Sequence, residues 1–335
     1  MSETRKKYDV YGMGNALVDL VCKVDDGFLA DMGIEKGRMI LIDQAAHDAL
    51  VPKLTPETRQ NAGSVANSMI ALSYFGGNGF YSCKVADDED GRFYLDQLRE
   101  EGLATNLTKE TLEQGTTGKS VVMVTPDAER TFNTFLGATE TFSTAQLDGD
   151  ALAQSEWLYI EGYLVAQQTA QPAAVEAVRM AKINGVKVAL TFSDVFMIQH
   201  FRQGMDEIIG DGVDLMLCNE DEVRAYTGSD DLAAATDALK KIAKTFAITR
   251  GPNGTLVYDG KELTEVPGFK VQAIDTVGAG DMFAGAFFYG ITHGFSYENA
   301  AEFANLAASR IVTKFGPRLT KDELQGLLKT FKSDS

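Results

Sequence analysis

The chain has 335 residues, 44% of them apolar and 24% charged, which is enough for a full α/β core with a smaller attachment. Its 48 acidic against 31 basic residues give a net charge of −17, a surface that repels phosphate backbones and anionic membranes and so argues against nucleic acid and lipid as partners. The 3 cysteines, Cys22, Cys83 and Cys218, lie far apart, which argues against a disulfide framework or a zinc cluster and fits a reducing cytoplasm.

Residues Met1 to Asp9 are polar, with no apolar stretch of signal-peptide type, and no run approaches a membrane span; a cytoplasmic, unprocessed protein is expected. The first few residues and Ser333 to Ser335 read as disordered. Val10 to Met13 reads as a buried strand, and residues 16–60 then interrupt the regular pattern. A helix over Val65 to Phe75, a strand over Gly79 to Val85 and a helix over Arg92 to Glu101 follow. Residues 103–142 are rich in Thr and Gly, and the period-two segments Lys119 to Thr125 and Arg130 to Leu136 predict antiparallel hairpin structure. Beyond them, Trp157 to Ile160, Val186 to Phe192, Val213 to Cys218 and Phe246 to Thr249 read as strands. Ala173 to Asn184, Ala233 to Lys244 and Asp281 to Thr292 read as helices. Such alternation predicts an α/β fold, a doubly wound and mostly parallel sheet flanked by helices. The whole chain, 1–335, is expected to form one domain, with 16–60 and 103–142 combining into a small β-sheet lid.

Two glycine-rich segments do not carry chemistry. Gly115-Thr-Thr-Gly-Lys-Ser120 ends like a phosphate-binding P-loop, but Glu113 stands where the first glycine belongs and a strand-like Val121 to Val124 follows instead of a helix. Gly12-Met-Gly14 lacks the third glycine of a dinucleotide fingerprint, Leu17 standing in its place.

The segment Asp275-Thr-Val-Gly-Ala-Gly-Asp281 is different, because an apolar helix follows it directly. Gly278 and Gly280 let backbone bend and approach a ligand closely, and the free N–H groups of a helix start form an anion site. A carboxylate at that site, Asp281, can take a proton from an attacking hydroxyl; as an isolated string it would equally serve as a helix cap. On the acceptor side, Asn15 and Asp19 in Gly14-Asn-Ala-Leu-Val-Asp19 follow the first strand and can clasp two neighbouring hydroxyls, or act as a cap and a surface acid. Asn61-Ala-Gly-Ser-Val-Ala-Asn67 adds a glycine for close approach and another amide.

The Asp275 to Asp281 string resembles the signature of the ribokinase-like (PfkB) kinases, and segments in the expected order extend the resemblance from about Tyr8 to about Leu319. The resemblance implies an ATP- and Mg²⁺-dependent phosphotransferase with Asp281 as catalytic base and the backbone of Gly278, Ala279 and Gly280 as anion hole. It places Asn15, Asp19, Gly63 and Asn67 around a sugar, with Ala62 standing where a glycine is usual. Asn219-Glu-Asp-Glu222 resembles the string that organises Mg²⁺, through water, and phosphate; a helix start explains the same residues. Thr249, Gly251 and Gly254 resemble the loop along the nucleotide phosphates, and Asn305 falls where a small-residue helix packs beside adenine, with core packing as the alternative. A K⁺ site beside Asp275 and Val277 is a further implication of the resemblance.

Among such kinases the Gly-Asn-x-x-x-Asp form resembles adenosine kinases, and Ser193-Asp-Val-Phe-Met197 lacks the Asp-x-Asn-x-Arg string of many sugar kinases. Alternation puts Phe132, Thr134 and Leu136 on one face that can cover a base, with Tyr163 as a further wall, or simply form a lid core. Arg130 is the candidate for neutralising the transferring phosphate, with a surface ion pair as the alternative. The expected acceptor is therefore a nucleoside, adenosine foremost, with a free sugar as the alternative, and the chain is expected as a monomer or homodimer.

Overall fold

The computed structural model describes residues 6–127 and 129–334. Of the termini expected to be disordered, residues 1–5 and 335 lie outside the described residues, whereas Ser333 belongs to a helix, Lys321–Asp334.

Nine strands form the main sheet: β1 (Tyr8–Met13), β5 (Gly79–Ser82), β6 (Ala104–Thr105), β9 (Ser155–Glu161), β10 (Lys187–Thr191), β11 (Val213–Asn219), β12 (Ala243–Thr249), β13 (Thr255–Tyr258) and β14 (Leu263–Val266). Their order is β14-β13-β12-β11-β10-β9-β1-β5-β6, parallel from β12 to β6 and antiparallel through β13 and β14. All six residues of β1 are buried, because helices cover both faces of the sheet. Val10 packs into the layer of the Ser64–Phe75, Ala279–Thr292 and Tyr297–Ile311 helices, while Tyr11 and Met13 pack into the layer of the Ala170–Ile183 and Val195–Ile209 helices.

A second sheet joins β2 (Leu17–Lys23), β3 (Met39–Leu41), β4 (Thr58–Ala62), β7 (Thr117–Val124) and β8 (Arg130–Gly137) in the order β3-β8-β7-β2-β4. The expected inventory needs two corrections. Residues 103–116 do not join this sheet: β6 pairs with β5 on the main sheet, and Leu103 and Leu107 are buried in the main core. The expected helix Ala233 to Lys244 ends at Leu239, and Ala243 already pairs with Val213, so sheet pairing overrides the helix-favouring lysines and alanines there. The P-loop look-alike runs into strand from Thr117 onward, with Lys119 of β7 ion-paired to Asp90 at 2.8 Å.

Chain order fixes where a ligand belongs. From β1 the strands run one way to β5 and β6 and the other way to β9 through β12, so the sheet switches direction between β1 and β9. Ligands of open α/β sheets bind outside the carboxyl ends of the strands at such a switch. The last residues of β9, β10, β11 and β12, namely Glu161, Thr191, Asn219 and Thr249, all line one cavity.

Candidate active site

That cavity holds about 930 Å³ and is roofed by the second sheet. Its floor is the start of the Ala279–Thr292 helix. The cap residue Gly278 has φ of 78°, and a Cβ there would sit 2.6 Å from the Pro317 carbonyl oxygen, so both conformation and space demand glycine. Among the described residues no side chain caps this helix, and the leading N–H groups at Gly280 and Asp281 have no intrahelical acceptor. With the macrodipole behind them they form a place for an anion.

Asp281 lies at the edge of that place. Its carboxylate accepts from the Ser64 hydroxyl at 2.7 Å and from Asn67 Nδ2 at 2.9 Å. Both donors come from the Ser64–Phe75 helix, entered through Gly63, whose φ is 128° and whose added Cβ would lie 2.1 Å from the Asn15 carbonyl oxygen. Burial raises the Asp281 pKa, opposed by the bonds from Ser64 and Asn67 and by the charge of Arg318. A carboxylate so held is a proton acceptor with its affinity tuned upward.

Around the acceptor end the cavity gathers Asn15, Asp19, Gly63, Asn67, Phe132, Thr134, Leu136 and Tyr163. Asp19 is half-buried, and loss of water pushes its pKa up to about 6 against the pull of Arg318, Arg130 and a bond from Gln60. The Asn15 oxygen is not free for a hydroxyl: it accepts from Gln167 Nε2 at 2.7 Å and from the Thr139 hydroxyl at 3.2 Å. Asn67 is likewise engaged, its oxygen accepting from Arg318 Nε at 2.9 Å.

Toward the expected nucleotide end, Asn219, Glu222 and Thr249 line the cavity. Asn219 and Glu222 form a reciprocal capping box: Asn219 Oδ1 accepts from the Glu222 N–H at 2.8 Å, and the Glu222 carboxylate accepts from the Asn219 N–H at 3.0 Å. Burial pushes the Glu222 pKa up to about 7, opposed by that Asn219 bond. Gly251 and Gly254 are not cavity residues; a Cβ on Gly254 would meet the Val266 carbonyl at 2.1 Å, so it serves the β12–β13 turn. Nor is Asn305, which is buried, accepts from the Thr255 hydroxyl at 2.7 Å and donates to the Pro267 carbonyl at 3.2 Å, pinning its helix to the β13–β14 hairpin.

Arg130 and Asp275, expected at the transferring phosphate and beside a K⁺ site, are paired with each other. Arg130 does not line the cavity; it pairs with Asp275 at 2.9 Å, its side chain only 15% exposed. The Asp275 carboxylate accepts in addition from the Val277 and Gly316 N–H groups, at 3.1 and 2.9 Å. Two N–H groups and a guanidinium thus take three of the positions at which the Asp275 carboxylate can accept.

Several cavity residues carry no sequence signal. Glu161 ends β9, 1% exposed, and accepts from the N–H groups of Asn15 at 2.9 Å and Val65 at 3.2 Å, capping the Ser64–Phe75 helix from another element. Burial pushes its pKa up to about 7 against those two bonds. Met39, Ile40 and Leu41 of β3 and Phe196 line the cavity as large apolar side chains left open to water. Arg318, in Gly316-Pro-Arg-Leu319, reaches Asn67, Asn61 and Glu101. Arginine after proline in a polar tail has no pattern by which to be singled out.

An uncapped helix start beside a half-buried carboxylate, inside a cavity closed by a second sheet, suits the transfer of an anionic group to a small acceptor. The chain belongs to the pfkB family of carbohydrate kinases, matching the family over residues 39–324. It is similar to the solved adenosine kinase from Sinorhizobium meliloti, at 34% identity over 98% of this chain and 100% of that one, with a TM-score of 0.87. A probable sugar kinase from Rhizobium etli CFN 42 aligns at 30% identity over 97% of this chain and 98% of that one, with the same TM-score of 0.87. The adenosine kinase of Schizophyllum commune is 26% identical over 95% of this chain and 98% of its own length.

Membership implies ATP as donor, as a rule with Mg²⁺. The residues fit both. Gly280 lines the cavity and a Cβ there would meet nothing within 4 Å, leaving room at the helix start for a phosphate group. Mg²⁺ is a cation held by one or two carboxylates, waters and substrate phosphates, and the Glu222 carboxylate lines the cavity. Glu222 and Asn219 are the residues that would hold it; bound, it would neutralise phosphate oxygens.

Proposed function

We propose that this chain transfers the γ-phosphoryl group of ATP to the 5′-hydroxyl of adenosine. Asp281 takes the hydroxyl proton as the new O–P bond forms, and the bond to the ADP oxygen breaks with its electron pair leaving on ADP. The N–H groups at Gly280 and Asp281 stabilise the transferring group. Asp19 accepts from the ribose hydroxyls, and the free N–H of Asn67 is available to the sugar.

The observation that carries adenosine over a bare sugar is the apolar wall. Met39, Ile40, Leu41 and Phe196 are 52%, 42%, 58% and 52% exposed, and they line the same cavity as Asp19 and Asp281. Phe132 and Leu136 of β8 continue that wall. Large apolar side chains held open to water beside polar groups mark a ligand surface, and a purine would cover them at roughly 25 cal/mol per Å². Ribose has no such surface to offer.

The test is kcat/KM for adenosine, other nucleosides and ribose on one preparation. Adenosine is expected to lead, with ribose far behind. Ribose equal to every nucleoside would overturn the nucleoside reading and leave a sugar kinase; tight binding of ATP and nucleoside without turnover would leave a non-catalytic binder.

A further inference from the structure

We infer that Arg318 is a positioning residue for Asp281, acting through the amide of Asn67. The inference rests on the proposed role of Asp281 as base and adds the group that keeps that base oriented. The guanidinium is almost fully engaged. Nε donates to Asn67 Oδ1 at 2.9 Å, Nη1 donates to Asn61 Oδ1 at 2.6 Å and to Glu101 Oε1 at 3.1 Å, and Nη2 donates to the Asn61 carbonyl. Glu101 in turn accepts from Asn61 Nδ2 at 2.9 Å, and the Arg318 and Glu101 side chains are only 14% and 10% exposed. Asn61 is buried completely and belongs to β4, so the network ties the base to the second sheet.

The chemistry of the partners fixes the direction of the relay. A primary amide can present oxygen or nitrogen to a neighbour, so Asn67 alone would be ambiguous. Arginine only donates, so it claims the Asn67 oxygen and turns the NH₂ toward Asp281, where an ionised carboxylate only accepts. The bonds from Ser64 and Asn67 are made to the two carboxylate oxygens and favour the ionised form of Asp281. The relay therefore holds both the orientation and the ionised state of the carboxylate. Arg318 is a cation that favours the ionised form of Asp281, and the Asp281 charge in turn raises the pKa of Asp19, Glu161 and Tyr159. Lysine cannot reproduce the arrangement, because a single ammonium cannot span three acceptors on different elements.

The test compares wild type, Arg318→Lys, Arg318→Met and the double variant Arg318→Met/Glu101→Gln, which leaves no buried unpaired carboxylate and guards against loss of folding. Each is melted, and kcat is measured from pH 5 to 9 with ATP and the best acceptor of the nucleoside and ribose panel. Removing the guanidinium is expected to lower kcat about tenfold near neutrality and to move the acid limb up by about one pH unit, the scale of losing one charge partner. The KM for ATP is expected to change less than twofold, and Arg318→Lys to recover part of kcat. A folded Arg318→Met or double variant with an unmoved acid limb, whether kcat is kept or lost equally at every pH, overturns the inference. Asp281→Asn is run in parallel: if it keeps its rate, the base reading itself has failed, a result distinct from a dead Asp281→Asn with an unmoved limb in the Arg318 variants.

Discussion

Gly280→Ala and Gly278→Ala differ by two positions in one turn, yet the structure assigns them opposite consequences. At Gly280 the backbone is ordinary helix and the added methyl meets nothing within 4 Å, so the folded chain has room for it. Alanine also removes freedom from the unfolded chain, so Gly280→Ala is expected to be neutral or to stabilise by about 0.4–1 kcal/mol. For a chain of this size that is a rise in Tm of no more than about 4 °C. At Gly278 the φ of 78° and the Pro317 oxygen 2.6 Å away leave no room, so Gly278→Ala costs about 1–2 kcal/mol for the left-handed backbone alone, and more for the displaced proline. Activity is expected to fall in both. In Gly280→Ala the methyl fills the space at the helix start, and displacing the phosphate from one N–H donor costs about 10²–10³ in kcat. The assay pairs thermal melts with kcat and KM for ATP at saturating acceptor. A Gly280→Ala variant that melts no lower than wild type and turns over a hundredfold slower supports the anion site. Wild-type turnover in that variant would refute the reasoning, because the open space at Gly280 would then have no ligand to hold.

Asp281→Asn is expected to fold normally and lose about 10²–10⁴ in kcat, the usual worth of a general base; near wild-type turnover at saturating substrates would remove Asp281 from the chemistry. Asp19→Ala is expected to raise the acceptor KM far more than the ATP KM, and 2′- and 3′-deoxyadenosine to be poor substrates, since unmatched polar groups are left behind. Because Asp19 titrates at about 6, acceptor affinity in wild type is expected to weaken as pH falls below that value; a flat acceptor KM from pH 7 to 5 would exclude the ionised form as the hydroxyl acceptor. Glu161 has a folded pKa of about 7, above its ordinary value of 4.5, so the native state binds a proton that the unfolded chain releases between those values, and stability falls as pH rises from about 4.5 to 7. Glu161→Gln is expected to flatten part of that fall, on the order of 2–3 kcal/mol, in urea midpoints taken across this range, and an unchanged slope would contradict the assignment.

How much of this was legible in the sequence follows the range of the interactions involved. The Asp275 to Asp281 turn was readable because its demands are local: a left-handed cap, a helix start and a carboxylate all lie within seven consecutive positions. The alternation of Phe132, Thr134 and Leu136 was readable for the same reason, since a strand's period places them on one face, and all three do line the cavity. Where a local reading had a bland rival, tertiary structure supplies contacts that neither reading named. It made Asn305 a bridge to the β13–β14 hairpin, Arg130 the partner of Asp275, and Asn219 both a helix cap and a cavity residue. Glu161 and Arg318 were not readable, because each acts on groups far away in the chain: Glu161 holds the N–H of Asn15, 146 positions earlier, and Arg318 holds Asn67, 251 positions earlier. Neither has a spacing pattern, since the partner is supplied by the sheet's change of direction and by the return of the chain after the Tyr297–Ile311 helix. The consequence is chemical as well as topological. Asp281 and Asp19 were visible as residue types, but their proton affinities are raised by burial and lowered by Arg318, which becomes their neighbour only in the fold. A reading of the sequence can therefore name the acid groups of this site, while the pH at which they work is a property of contacts between residues that the sequence keeps apart.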